Sequence, residues 1–197
     1  VTDVTVEHLR VQNYNTATPA AGVYANLSNH GLTVQHVTTV NNGLAGQNGG
    51  GVYMNGPVDD VLIDNVTAHS NRSRGIVIWN GFKTNITITN NDVQFNNCCG
   101  IELQDGTASG VTITGNTVKN NIDSGMSPLG LTSGAGPNLI ANNTLENNGR
   151  FGIELKLPNG TGLDTGDGSI VVENNDISLT STPADLRDYA GIAVYRR

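Results

Sequence analysis

A glycine followed by an alternating apolar strand recurs six times along the 197 residues: Gly22-Val23-Tyr24-Ala25, Gly51-Val52-Tyr53-Met54, Gly75-Ile76-Val77-Ile78, Gly100-Ile101-Glu102-Leu103, Gly152-Ile153-Glu154-Leu155 and Gly191-Ile192-Ala193-Val194. A weaker copy stands at Gly125-Met126-Ser127. Each is preceded by another period-two stretch, beginning near residues 4, 32, 61, 86, 111, 139 and 170, so the spacing is 25 to 31 residues. Between the two lies a third short element, as in Asn91-Asp92-Val93, Asn116-Thr117-Val118, Asn143-Thr144-Leu145 and Asn175-Asp176-Ile177. One such unit has no partner for its apolar face, whereas stacked copies bury a continuous column of Val, Ile and Leu. The repeat therefore predicts an all-β chain: a right-handed parallel β-helix of about seven coils with three short parallel sheets, roughly 34 Å long at ~4.8 Å per coil.

Composition agrees with that reading. There are 27 Asn and 25 Gly, and charged residues make up only 14%, against about a quarter in ordinary domains. Asn tolerates the left-handed backbone of turns, and its amides can stack as ladders. Asn91, Asn116, Asn143 and Asn175 are placed for such a ladder, with Leu9 and Val37 standing there in the first two coils. Ser181 to Tyr189 carries a capping hydroxyl, Pro183 and an acidic first turn, which predicts one or two helical turns. Leu157 to Ser169 reads as a loop. No linker divides residues 1–197, which form one domain; both ends are abrupt, so further coils or a capping domain are expected beyond them.

Several partner classes are excluded. A formal net charge of -7 offers no basic footprint for nucleic acid, and no apolar run approaches the ~20 residues of a membrane span. Cys98 and Cys99 are neighbours, so they close no long loop. The plain reading is two small turn residues, the alternatives being a strained vicinal disulfide or half a metal site.

Side chains alternate across a strand, so the Gly-led strand exposes its second and fourth positions. The second-position column reads Tyr24, Tyr53, Val77, Glu102, Ser127, Glu154, Ala193; the fourth includes Asn26, Asn55, Trp79, Gln104, Lys156 and Tyr195. Aromatic rings beside amides and acids suit a sugar, whose apolar face stacks while its hydroxyls take hydrogen bonds. Tyr24, Tyr53, Asn55, Trp79 and Gln104 are the candidate binding residues. Glu102 and Glu154, two coils and about 9.6 Å apart at the parallel spacing, are candidate catalytic acids at the wide end of an inverting glycosidase pair. Lys156 lies two residues from Glu154 on the same face and can pair with it. Asp123 and Arg150 share one offset before the glycine, with Arg72, Arg74 and His69 lower down, and are expected to make a surface ion pair. Arg150 or Lys156 could instead serve as the base of a β-elimination.

Other signals are weaker. His8 and His36 are equivalent in adjacent coils, without a third ligand. Asp164 and Asp167 admit Ca²⁺ but match neither the EF-hand nor the nonapeptide spacing. No metal ligand and no cofactor is assigned. Thr5, Thr33, Thr87 and Thr112 form a hydroxyl column interrupted by Leu62, Ile140 and Val171, as expected where Thr is simply a good strand residue.

Repeats such as Asn85-Ile86-Thr87-Ile88-Thr89-Asn90-Asn91-Asp92-Val93 leading to Gly100-Ile101-Glu102-Leu103 resemble the right-handed parallel β-helix repeat proteins. That pectate-lyase-like group includes polysaccharide lyases, pectin-type hydrolases and C5-epimerases. The resemblance implies a secreted or cell-surface protein that binds a polysaccharide, with hydrolase, lyase or epimerase action on it as the chemistry open to such a protein. The Asp-Pro-His-Glu of the epimerases is absent, and Asp59-Asp60 lacks the partner motifs of the polygalacturonases, so no residue inherits a catalytic role. The alternative is a non-catalytic structural or adhesive solenoid.

Overall fold

The computed structural model describes residues 2–26, 28–132, 134, 136–157, 170–180 and 189–196. Among them every regular element is a strand. The first two coils carry β1 (Thr2–Gln12), β2 (Ala20–Asn26), β3 (Asn29–Val40) and β4 (Gly49–Asn55). The next two carry β5 (Val58–Asp64), β6 (Thr67–His69), β7 (Arg74–Trp79), β8 (Lys83–Thr89), β9 (Asp92–Gln94) and β10 (Ile101–Gln104). The last three carry β11 (Ala108–Thr114), β12 (Thr117–Lys119), β13 (Met126–Pro128), β14 (Asn138–Ala141), β15 (Thr144–Glu146), β16 (Phe151–Leu157), β17 (Ile170–Glu173), β18 (Asp176–Ser178) and β19 (Ala190–Arg196).

The strands β2, β4, β7, β10, β13, β16 and β19 stack into one parallel sheet, which the chain builds in about six turns. A second stack runs β5, β8, β11, β14, β17 and a third β6, β9, β12, β15, β18. The long strands β1 and β3 pair with each other and join these two stacks, because no Asn turn breaks them. Leu9 and Val37 hold the Asn position there, and the bend falls on His8 and His36, at φ 54° and 51°. The expected coil organisation is thus present; residues 181–188 of the predicted helix and 158–169 of the loop with Asp164 and Asp167 fall outside the described residues.

Val34, Ile63, Ile88, Ile113 and Ile140 stand in register down the interior, each fully buried. Burial of an aliphatic chain of this size contributes ~1.5–3 kcal/mol, and the column is one part of a single apolar core that runs through the stacked coils. The register corrects one expected position. Thr112 pairs with Leu139 and Ile113 with Ile140, so Ile140 points inward and Leu139 interrupts the Thr column. The cause is Asn138, which takes the place above Val111, where its Oδ1 accepts the Val111 N–H at 3.1 Å.

Two buried amide ladders lock the turns. In the expected one, Asn91, Asn116 and Asn143 each pass a side-chain hydrogen bond to the next coil, ending on Asn175, at 2.8–2.9 Å. A second runs Asn42, Asn71, Asn96, Asn121, Asn148 at 2.9–3.3 Å and closes the turn just before the seven-stranded sheet. Each of these amides also accepts a backbone N–H of the coil before, as Asn121 Oδ1 does from Asn96 at 3.0 Å. The glycine opening each repeat follows from this ladder. A Cβ on Gly100 would lie 2.5 Å from Val118 Cγ1, 2.7 Å from the Gly125 carbonyl and 2.9 Å from Asn121 Nδ2, so no larger residue fits beside the amides.

Candidate functional site

The seven-stranded sheet presents the expected columns. Tyr24, Tyr53, Val77 and Glu102 are in register, and Ser127 and Glu154 continue them through the Met126–Ile153 pair to Ala193. Asn26, Asn55, Trp79 and Gln104 form the second column, and Lys156 pairs with the backbone of Tyr195. At the lower end the Tyr24 and Tyr53 rings lie 5.3 Å apart, Tyr24 being 42% exposed and Tyr53 buried. Asn55 Nδ2 donates to Asn26 Oδ1 at 3.0 Å and Asn80 Nδ2 to Asn55 Oδ1 at 2.8 Å, so the binding-face amides satisfy one another. Gln104 is half-buried above Trp79.

The acids occupy the middle of the face, and side chains from neighbouring turns cover them. Glu102 is 5% and Glu154 3% exposed. Buried carboxylates need cations or hydrogen-bond donors, and both have them. Arg74, at the head of β7 one coil below, donates Nε to Glu102 Oε2 and lies with its guanidinium carbon 4.9 Å from the Trp79 ring centroid. Lys156 Nζ lies 2.9 Å and Arg150 Nη1 3.9 Å from Glu154 Oε1, while Ser127 and Ser124 hydroxyls donate to Glu154 Oε2 at 2.7 and 3.2 Å. The expected Lys156–Glu154 pair is therefore present. Arg150 turns to Glu154 and to Phe151, whose ring centroid is 4.6 Å away; the expected partner Asp123 is left with Oδ1 buried and without a hydrogen-bond partner. Burial raises the Glu102 carboxyl above its ordinary range; Arg74 opposes that shift, and the Glu154 and Asp123 charges add to it.

Beside these acids the last turn before β10 carries the two thiols. Cys98 Sγ and Cys99 Sγ are 3.8 Å apart, and Cys99 Sγ approaches Glu102 Oε1 at 4.0 Å and Ser127 Oγ at 3.9 Å. Cys98 is half-buried and Cys99 buried, and both are free thiols. The contact between the sulfurs draws the Cys98 thiol below its ordinary range despite burial, helped by Arg74. The Cys99 thiol is raised, as the partner in that contact, by burial and by the charges of Glu102, Cys98 and Asp123. One coil up, at the equivalent turn, Asp123 completes a group of three donor atoms all within 4.8 Å of one another. The sequence reading assigned no metal ligand; the signal available to it was the shared distance of Cys98 and Asp123 from their glycines, two residues in each case. Elsewhere, the His8 and His36 rings stack at 5.0 Å, and His69 Nε2 lies 3.0 Å from Asp92 Oδ2.

Comparison with known families fits this architecture. The family model described as periplasmic copper-binding protein (NosD) matches residues 1–159. The chain belongs to the NosD family. The NosD match spans all of β1 to β16, and so includes both amide ladders down to Asn148 and the whole of the Cys98, Cys99, Asp123 group. It bears out the resemblance to parallel β-helix proteins. The NosD description names a periplasmic location, in line with a protein expected outside the cytoplasm, and no helix among the described residues is long and apolar enough to cross a membrane. No curated protein and no solved structure matches the chain.

Proposed function

We propose that this chain is a non-catalytic periplasmic binding solenoid that holds a copper ion between Cys98 Sγ, Cys99 Sγ and the Asp123 carboxylate. The observation that carries the reading is the convergence of these three donors within 4.8 Å. Three features of the donor set suit the ion named by the family description. Thiolates are soft ligands that select Cu(I). Asp123 Oδ1 is buried without a hydrogen-bond partner, a cost of about 1–3 kcal/mol that a bound cation removes. Two thiols beside Glu102 and Asp123 resist ionising together, and a cation among them reverses that balance. Ser127 and the Asn96–Asn121 ladder step keep the turn in place. Bound there, the ion supplies a thiophilic centre at the edge of the sheet face.

Buried, ion-paired Glu102 and Glu154 support a binding role over glycoside hydrolysis, since neither carboxylate faces open solvent. The test is titration of reduced protein with Cu(I) against a chromogenic Cu(I) chelator. One ion per chain is expected, lost in Cys98→Ser and Cys99→Ser and weakened in Asp123→Asn. Absence of binding, or binding indifferent to all three substitutions, overturns the reading.

A second reading keeps a polysaccharide on the lower face. Its support is the Tyr24–Tyr53 pair with the Asn26, Asn55, Asn80 amides beside it, a ring 42% exposed next to ordered hydrogen-bonding groups. Tyr24→Ala should then abolish retention on immobilised polysaccharide while leaving Cu(I) binding intact; equal retention of the variant removes this reading.

A further inference from the structure

The two thiols differ in a way that metal binding does not require. Cys98 is half-buried and reachable, whereas Cys99 is 4% exposed and faces Glu102 and Ser127. Their sulfurs are nonetheless 3.8 Å apart, within one short motion of a bond. The turn that carries them is fixed at its start, where the Asn96 N–H and amide are both held by Asn121 Oδ1, and at its end by the parallel pairing of Gly100 and Ile101 with the next coil. The sulfurs therefore meet without any long segment having to move. A periplasmic location, as the family description gives, is an oxidising one in which disulfides form and persist.

We propose that Cys98 and Cys99 form a reversible vicinal disulfide, with Cys98 as the thiol that exchanges with an external disulfide and Cys99 as the thiol that closes the bridge. The chemistry balances as thiol–disulfide exchange. Cys98 gives up its proton and attacks one sulfur of the oxidant disulfide, releasing one thiolate and leaving a mixed disulfide on Cys98. Cys99 then gives up its proton and attacks Cys98 Sγ, expelling the second thiolate. The protein loses two protons and two electrons, and the oxidant becomes two thiols. Adjacent α-carbons are only ~3.8 Å apart, below the usual span of a disulfide. The bridge is consequently strained, which makes it readily reduced and suited to switching rather than to bracing the fold. The consequence for the metal rests on the copper reading above: once bridged, neither sulfur is a thiolate, so the oxidised chain gives up two of three donors.

The test uses the full reduced chain with excess oxidised glutathione, followed by intact mass and a count of free thiols. Wild type should end monomeric, two hydrogens lighter, with no free thiol and no retained glutathione, and a dithiol should restore both thiols. Cys99→Ser and Cys99→Ala should each trap one glutathione on Cys98. Cys98→Ser should react at least about tenfold more slowly, because access limits exchange at a buried sulfur; circular dichroism verifies that each variant is folded. Stable glutathione adducts on wild type, or equal rates in Cys98→Ser and Cys99→Ser, overturn the proposal. A Cu(I) titration of reduced and oxidised wild type separates the two ideas. If the reduced chain takes no copper while the bridge still forms, the copper reading fails and the exchange chemistry stands. If both forms bind equally, the switch fails.

Discussion

Removing one rung of an amide ladder should cost the same amount wherever the rung is, yet reach the metal site from only one of the two ladders. Asn121 and Asn116 make the comparison. Asn121→Ala deletes four hydrogen bonds: those its Oδ1 accepts from the Asn96 N–H and Nδ2 at 3.0 and 2.9 Å, and those its Nδ2 gives to the Val93 carbonyl and Asn148 Oδ1 at 3.1 and 2.9 Å. Some of these groups keep another partner. Asn96 Nδ2 still donates to the Ala68 carbonyl, and Asn148 Oδ1 still accepts the Asn121 N–H. What remains stranded is one buried N–H, on Asn96; the Val93 carbonyl loses its second donor but keeps its place in the parallel pairing of β9 with β12. At about 1–3 kcal/mol for the stranded N–H and about 1 kcal/mol for the bond the carbonyl loses, with a small void added, the expected loss is about 2–4 kcal/mol. Asn116→Ala likewise strands the Asn91 N–H and takes one of two donors from the Ile88 carbonyl, which stays paired with β11, while the Thr114 carbonyl retains the Asn90 N–H. Urea unfolding followed by far-ultraviolet circular dichroism should therefore give nearly equal losses. Cu(I) competition should not: Asn121 holds Asn96 at the start of the Cys98–Cys99 turn, whereas Asn116 holds the turn before β9. Asn121→Ala should weaken Cu(I) binding and Asn116→Ala leave it unchanged. Losses under about 1 kcal/mol in both variants would show that the ladders do not bear the load argued for them, and equal copper affinities would disconnect the ladder from the site.

Three further outcomes follow from single side chains. Lys83 is 1% exposed, with Nζ donating to the Gly81 and Asp105 carbonyls, and burial lowers it to about 8 from 10.5. Below pH 8 both folded and unfolded chains carry the charge and folding bears a penalty of about 3 kcal/mol; between pH 8 and 10.5 the folded chain deprotonates first, so stability rises with pH. Lys83→Met should abolish that rise, read as the difference between two urea series, and an unchanged slope would refute it. Arg74→Met leaves Glu102 buried without its cation and should cost about 3–5 kcal/mol, much of it recovered in the Arg74→Met/Glu102→Met double variant; a double-mutant cycle with no coupling would dissolve the pair. Gly100→Ala forces a Cβ against Val118, the Gly125 carbonyl and Asn121 and should lower stability by about 1–3 kcal/mol, with a neutral result removing the close-approach account of the repeat glycine.

Much of this molecule is legible along the chain because a solenoid turns sequence distance into spatial distance. Residues about one repeat apart meet, so the columns headed by Tyr24 and Asn26 and the Asn91 ladder could be written down in register. The second ladder carried the same signal, Asn42 to Asn148 in steps of 25 to 29 residues, and was obscured by the many other Asn of the turns. At β14 the alignment slips by one residue because Asn138, a polar residue, occupies an inward place that an apolar pattern search passes over.

What the chain could not convey is what lies over the sheet. Alternation decides that Glu102 and Glu154 leave the sheet on its outer side, and on that ground they read as exposed acids open to a substrate. Lys156 is legible beside Glu154 by the same alternation, but only the folded chain brings Arg74 and Arg150 across the acids and makes them buried ion pairs. The same holds for Cys98, Cys99 and Asp123. Their residue types are plain in the sequence, but a ligand group is a matter of side-chain direction in irregular turns, which no period describes. Repetition thus specifies the strands, the stacking and the ladders through local geometry alone; the chemistry sits where the repeat is broken, and there the neighbouring coils decide which atoms meet.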